Sequence, residues 1–182
     1  MLGKLELGNE QLEVENAVFM NETPIFDLNR FPREALLPMN AEWANLFGEG
    51  LAQMDPWLRL GYSPASLTRY FSSINPDRQS WVILDGEAPA ACLTVRPDWL
   101  RGPLLELLAV LPQHQGKGIG KDMIAWLAGE TRRQGKANLW TISSEFNHAA
   151  LAFYRRHGFE EAGVLPDLIS AGETERLLRL RL

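Results

Sequence analysis

The stretch Leu104-Leu105-Glu106-Leu107-Leu108-Ala109-Val110-Leu111-Pro112-Gln113-His114-Gln115-Gly116-Lys117-Gly118-Ile119-Gly120 decides how this chain folds. Its first eight residues are apolar except Glu106, the pattern of a strand buried on both faces. Gly116, Gly118 and Gly120 alternate in the turn that follows. Without Cβ atoms they let the backbone approach a ligand closely. The turn opens a helix to about Arg133, with Ile119, Met123, Trp126 and Leu127 as its inner stripe. The first amides of that helix have no partner within it, and the helix dipole adds partial positive charge. Strand, glycine turn and helix N-terminus together predict an anion site of the phosphate type.

Upstream, Asn40–Met54 predicts a helix capped by Asn40, with Trp43, Leu46, Phe47, Gly50, Leu51 and Met54 on one face. Ser63-Pro64 starts a second helix, with Leu67, Tyr70, Phe71 and Ile74 inward, and Asn75-Pro76-Asp77 ends it. Ser80–Leu84 and Ala90–Arg96 read as strands joined at Asp85-Gly86-Glu87. Downstream come a strand at Leu139–Ile142, a helix at Asn147–His157 ended by Gly158, and strands at Phe159–Leu165 and Arg176–Leu182. In the last strand Leu178, Leu180 and Leu182 alternate with Arg179 and Arg181, so one face is buried. This order predicts a mixed α/β domain.

Residues 1–35 alternate in short pieces such as Lys4-Leu5-Glu6-Leu7 and predict one or two exposed strands. They carry seven acids against three bases, whereas the other 147 residues hold 16 acids and 15 bases. They therefore read as an extension, residues 1–35, to a near-neutral domain over residues 36–182.

Composition removes several function classes. The net charge of −5 weighs against nucleic-acid binding, which needs a basic surface. A single cysteine, Cys92, excludes an internal disulfide framework and a Cys-rich zinc module. His114, His148 and His157 stand in no metal-ligand spacing, so no metal is expected. Met1–Leu12 is broken by Lys4, Glu6 and Glu10, and no apolar run approaches the ~18 residues of a membrane span. The expectation is a cytoplasmic chain with no membrane association.

Two phosphate motifs fail on the glycine turn. A P-loop needs Ser or Thr after Gly-Lys, where this chain has Asp122, and its first glycine falls on Gln115. The dinucleotide fingerprint G-x-G-x-x-G is one residue longer than Gly116-Lys117-Gly118-Ile119-Gly120 and belongs early in a βαβ unit.

Gln115–Gly120 instead resembles the [Q/R]-x-x-G-x-[G/A] signature of the GNAT superfamily of acyl-CoA N-acyltransferases, and Leu107–Pro112 the strand that leads into it. Asn147-His148-Ala149-Ala150-Leu151-Ala152-Phe153-Tyr154, followed by Gly158-Phe159, resembles the family's second landmark, N-x-x-A-x-x-x-Y…G-F. The likeness covers about Asn40–Leu182. It implies a twisted, mostly antiparallel sheet of six or seven strands, splayed at its central strands and flanked by about four helices. It also implies acetyl-CoA as co-substrate, with no metal required, and direct transfer of acetyl to a primary amine. In that frame Gln115, Gly116, Lys117, Gly118, Ile119 and Gly120 would cradle the pyrophosphate. Leu108 and Val110 backbone groups would pair with the pantetheine arm, Val110 would present its amide to the thioester carbonyl, and Asn147 would touch pantetheine. Tyr154 would protonate the departing thiolate.

Residue chemistry keeps other readings open. Tyr154 also suits an aromatic core position, and Asn147 suits the N-cap of its helix. Glu106 is the lone charge in an apolar strand; by alternation it shares a face with Leu108 and Val110, where it could take a proton from the incoming ammonium or form an ion pair. Trp57, Tyr62, Tyr70 and Phe71 either line an acceptor pocket or pack the helices. Asp167, Glu173 and Glu175 on the opposite wall would favour a cationic amine. The acceptor is expected to be a small-molecule or peptide amine, and a homodimer is compatible with the sequence. Two rivals stand beside this reading: a non-catalytic acyl-CoA-binding module, and an acetyltransferase acting on a protein lysine or N-terminus.

Overall fold

The computed structural model describes residues 26–33 and 35–182. The expected strands around Lys4–Glu15 lie outside the described residues. Seven strands form one sheet: β1 (Ala35–Pro38), β2 (Gln79–Asp85), β3 (Ala88–Trp99), β4 (Gly102–Val110), β5 (Asn138–Ser144), β6 (Glu160–Pro166) and β7 (Thr174–Arg181). Four α-helices accompany them: α1 (Ala41–Leu51), α2 (Pro64–Ser72), α3 (Ile119–Arg133) and α4 (His148–Arg156). The sheet order is β1-β2-β3-β4-β5-β7-β6. Every neighbouring pair is antiparallel except β4 and β5, which run parallel.

Local chemistry sets the helix starts. Asn40 accepts the Trp43 amide, Ser63 accepts the Ser66 amide beside Pro64, and Asn147 accepts the Ala150 amide. Gly118 occupies the left-handed region at φ 80°, which favours glycine, and its carbonyl accepts the Asp122 amide of α3. The second helix is shorter than its apolar spacing predicts. It ends at Ser72, leaving Ile74 fully exposed just before Asn75-Pro76, a pair that disfavours helix.

The sheet separates two apolar clusters. On one face α3 and α4 bury Met123, Leu127 and Leu151 against Ile83, Leu93, Leu139 and Leu178. On the other, α1 and α2 bury Phe47, Leu51, Leu67 and Phe71 against Val82, Cys92 and Ala109. Strand alternation does this sorting: Ala91, Leu93 and Val95 face α3, while Cys92 faces α1.

The approach of residues 26–33 has no signature in the sequence. Phe26 and Phe31 are buried against Trp126 of α3, the Trp126 indole donates to the Asp27 carbonyl at 3.1 Å, and the Asp27 amide donates to Glu130 at 2.8 Å. The segment then enters β1, which pairs with β2 from Ala35↔Leu84 to Pro38↔Trp81. Nothing in the sequence pattern announces β1, because four residues ending in proline are too few to show a period.

Two helical glycines have opposite surroundings. A Cβ at Gly48 of α1 would fall 2.2 Å from the Thr68 hydroxyl and 2.9 Å from its backbone nitrogen, whereas one at Gly129 of α3 would meet open space. Gly129→Ala should stabilise the fold by roughly 0.5–1 kcal/mol. Gly48→Ala should destabilise it, because α1 and α2 must move apart. Thermal unfolding of the two variants side by side checks the opposite signs.

Candidate active site

The site begins where β4 and β5 part. Their parallel ladder is two pairs long, Leu104↔Trp140 and Leu105↔Thr141, and the Thr141 hydroxyl tightens it by donating to the Leu105 carbonyl at 3.0 Å. On its other side β4 carries a bulge. Thr94 of β3 pairs with Leu107 and Val95 with Leu105, so Glu106 is the extra residue. Beyond this point a cleft of about 770 Å³ passes between the strands.

The bulge corrects the expected position of Glu106. Strict alternation would put Glu106, Leu108 and Val110 on one face. Instead Leu105 joins the α3 cluster, Leu107 and Ala109 join the α1 cluster, and Leu108 and Val110 return to the α3 side. The Glu106 carboxylate turns to Arg96 of β3, which donates to it at 2.8 Å, and lies 3.9 Å from Arg78, a residue tied to the C-terminal end of α2 through the Tyr70 carbonyl. It still lines the cleft. Because two guanidinium groups converge on it, Glu106→Gln should cost about 1–3 kcal/mol of stability, measurable by chemical unfolding apart from any effect on chemistry.

One wall of the cleft is the glycine turn. Gln115, Gly116, Gly118, Ile119 and Gly120 line it, as do Leu108 and Val110. The Gln115 side-chain amide donates to the Val110 carbonyl at 3.0 Å, tying the turn to the end of β4. Gly116 has open space where a Cβ would stand, whereas a Cβ on Gly120 would come within 3.2 Å of the Phe153 ring. Lys117 is not among the lining residues: its ammonium pairs with Asp85 at 2.7 Å. His114 reaches the same carboxylate at 2.9 Å, and these two partners hold the Asp85 carboxyl below the usual carboxylate range.

Asn147 and Tyr154 line the cleft from α4. Tyr154 is 6% exposed and packs edge-on against Phe153 and Phe159. Burial pushes its phenol up, and a hydrogen bond with Thr141 opposes that. It combines the core packing and the cleft position that the sequence leaves as alternatives.

The far wall holds a group whose burial the sequence does not reveal. Glu175 of β7 is 1% exposed, yet it lines the cleft and accepts the Ser144 hydroxyl at 3.0 Å. Desolvation pushes its carboxyl up, the Ser144 bond opposes this, and Glu173 adds a further upward push. The only hint in the sequence is an acid flanking an alternating strand. Trp57, Leu60, Tyr62 and Tyr70 line the same side, whereas Phe71 packs in the α1 cluster. Arg59, next to Leu60 in the α1–α2 loop, joins that loop to the β6–β7 turn: its guanidinium lies 3.9 Å over the Phe146 ring and 3.0 Å from Glu173. Among the described residues no helix is long and apolar enough to cross a membrane.

Residues 76–161 match the acetyltransferase (GNAT) domain family. Streptothricin acetyltransferase of Streptomyces lavendulae is 31% identical over 80 residues, 44% of this chain and 42% of that protein. The ribosomal protein bS18-alanine N-acetyltransferase of Escherichia coli K12 is 37% identical over 57 residues, 31% of this chain and 38% of that protein. The matched regions thus span about two fifths of these curated relatives. The crystal structure of an acetyltransferase from Thermus thermophilus superposes with a TM-score of 0.66 over 81% of this chain and 96% of that one, at 20% identity, a likeness of fold. The seven-stranded sheet parted at β4 and β5 and the glycine turn agree with the match of residues 76–161 to the GNAT acetyltransferase domain.

Proposed function

We propose that this chain transfers an acetyl group from acetyl-CoA to a primary amine by direct attack. The observation that carries this reading is the cleft through the sheet, with a glycine turn and helix N-terminus at one side and a buried phenol on its wall. The open face of Gly116, the unpaired amides at the start of α3 and Lys121 on the lining suit a diphosphate. The parted edge of β4 suits an extended pantetheine arm, which would add to the sheet as a strand does. Bound there, acetyl-CoA supplies the activated acyl group.

The chain's own residues then handle position, charge and protons. The Val110 amide would donate to the carbonyl oxygen as negative charge gathers on it. The amine nitrogen forms the new C–N bond and the C–S bond breaks. Tyr154, kept protonated by burial, would give its proton to the departing sulfur. Glu106, facing the cleft under its arginines, would take the proton released by the amine, directly or through water. Most of the acceleration would come from holding amine and thioester together. Tyr154→Phe should therefore lower kcat by about a hundredfold while changing CoA affinity little. Single-turnover rates, free-CoA release and calorimetry with CoA check this. CoA binding without CoA release in any amine mixture would favour a non-catalytic binding module.

The acceptor we propose is a small cationic amine with an apolar body. Glu175 offers a buried carboxylate held by the Ser144 hydroxyl and set among Trp57, Tyr62 and Tyr70. The Arg59–Glu173 bridge, beside the lining residues Leu60 and Glu175 in sequence, supports a compact acceptor over an extended peptide. The names of the two curated relatives differ in acceptor, streptothricin in one and a ribosomal protein in the other. A panel of polyamines, aminoglycosides, amino acids and short peptides should show cationic small amines acetylated fastest. Glu175→Gln should raise their KM about tenfold and leave CoA affinity unchanged. Preferential turnover of anionic amines or long peptides would refute this acceptor class.

A further inference from the structure

We infer that Arg33, which lies outside the residues that match the GNAT domain, is a positioning residue for the acetyl-CoA-binding turn. It neutralises Asp122 and holds the turn's backbone so that the amides at the start of α3 face an anion. The inference rests on the donor-site reading above.

The geometry is specific. Arg33 Nε donates to Asp122 Oδ2 at 2.6 Å, and a terminal nitrogen of the same guanidinium donates to the Lys117 carbonyl at 2.7 Å. The arginine thus bridges the turn to the first turn of α3. Its guanidinium also comes within 3.5 Å of where a Gly118 Cβ would stand. Arg33 and Asp122 are 28% and 29% exposed, so solvent screens the pair only in part.

The arrangement resolves an electrostatic conflict. An acid in the first turn of a helix is favourable for the helix, because it faces the positive end of the dipole. The same acid is unfavourable for a turn that must receive a diphosphate. Asp122 is such an acid, and the neighbouring Lys117 ammonium is committed to Asp85. Among the described residues Arg33 is the cation paired with Asp122, and it makes that pair while fixing the carbonyl of the residue before Gly118.

Arg33 is also delivered by a rigid route. The segment from Phe26 to Arg33 runs antiparallel to α3. Asp27 is fixed at Glu130 and Trp126, Phe26 and Phe31 are buried, and Arg33 arrives at Asp122, about two turns nearer the N-terminus of α3. The segment that composition marks as an acidic extension therefore ends in a cation placed at the donor turn.

A charge-rescue cycle tests this with the full chain. CoA affinity is measured by calorimetry, and KM for acetyl-CoA and kcat by free-CoA release. The set is wild type, Arg33→Ala, Asp122→Asn and Arg33→Ala/Asp122→Asn, each checked by thermal unfolding. Arg33→Ala should weaken CoA binding about tenfold at low salt, less at high salt, with the loss in KM rather than kcat. The double variant should recover to within about threefold of wild type, because the unbalanced carboxylate is gone. Asp122→Asn alone should bind CoA at least as tightly as wild type, which keeps the test open if Arg33→Ala does not fold. Unchanged affinity in Arg33→Ala, no recovery in the double variant, or weaker binding in Asp122→Asn overturns the inference. If the wild-type chain does not bind CoA, the donor-site reading itself fails, an outcome distinct from the other three.

Discussion

The parting of β4 from β5 governs the rest of the molecule. Two parallel strands in mid-sheet would ordinarily stay hydrogen-bonded along their length, and backbone groups that lose their partners are costly when buried. Here the ladder stops after Leu105↔Thr141, locked by the Thr141 hydroxyl, and the bulge at Glu106 lies at the same level on the other edge of β4. A sheet broken in this way exposes backbone donors and acceptors inside a cleft. The Gln115 amide takes up the Val110 carbonyl, and the glycine turn, α4 and the β6–β7 hairpin converge on the opening.

Charge around the opening is balanced in separate groups. Glu106 has Arg96 and Arg78, Asp85 has Lys117 and His114, Asp122 has Arg33, and Glu173 has Arg59. Farther out, Arg176 joins Glu145 and Glu161. The more exposed pairs outside the Glu106 group add little stability one by one. They fix where long side chains point, and each of the first four groups joins segments distant in sequence. Glu175 stands apart: it is buried, and the Ser144 hydroxyl donates to it.

What the sequence discloses follows from local rules. The caps at Asn40, Ser63 and Asn147, the glycine turn before α3 and the apolar run of β4 on either side of Glu106 each depend on a few neighbouring residues, and the structure has them where those rules put them. The features that stay hidden depend on distant partners. β1 is defined by β2, some forty residues downstream, and Phe26 and Phe31 by Trp126. The Glu106 bulge shifts the register of β4 by one residue, so period-two reasoning assigns its side chain to the wrong face. Glu175 reads as one of three acids before the last strand, and its burial appears only once β5 and the hairpin close over it.

The sheet's two apolar clusters share strands but no helix: α3, α4 and the 26–33 segment belong to one, α1 and α2 to the other. The glycine turn is rooted in the first, whereas Trp57 and Tyr70 pack against the second. Substitutions in α1, α2 and their connecting loop can therefore reshape one side of the cleft while the packing beneath the glycine turn is left intact. Such a layout is modular in the evolutionary sense: descendants of one ancestor can vary α1, α2 and their loop without disturbing the packing under the glycine turn.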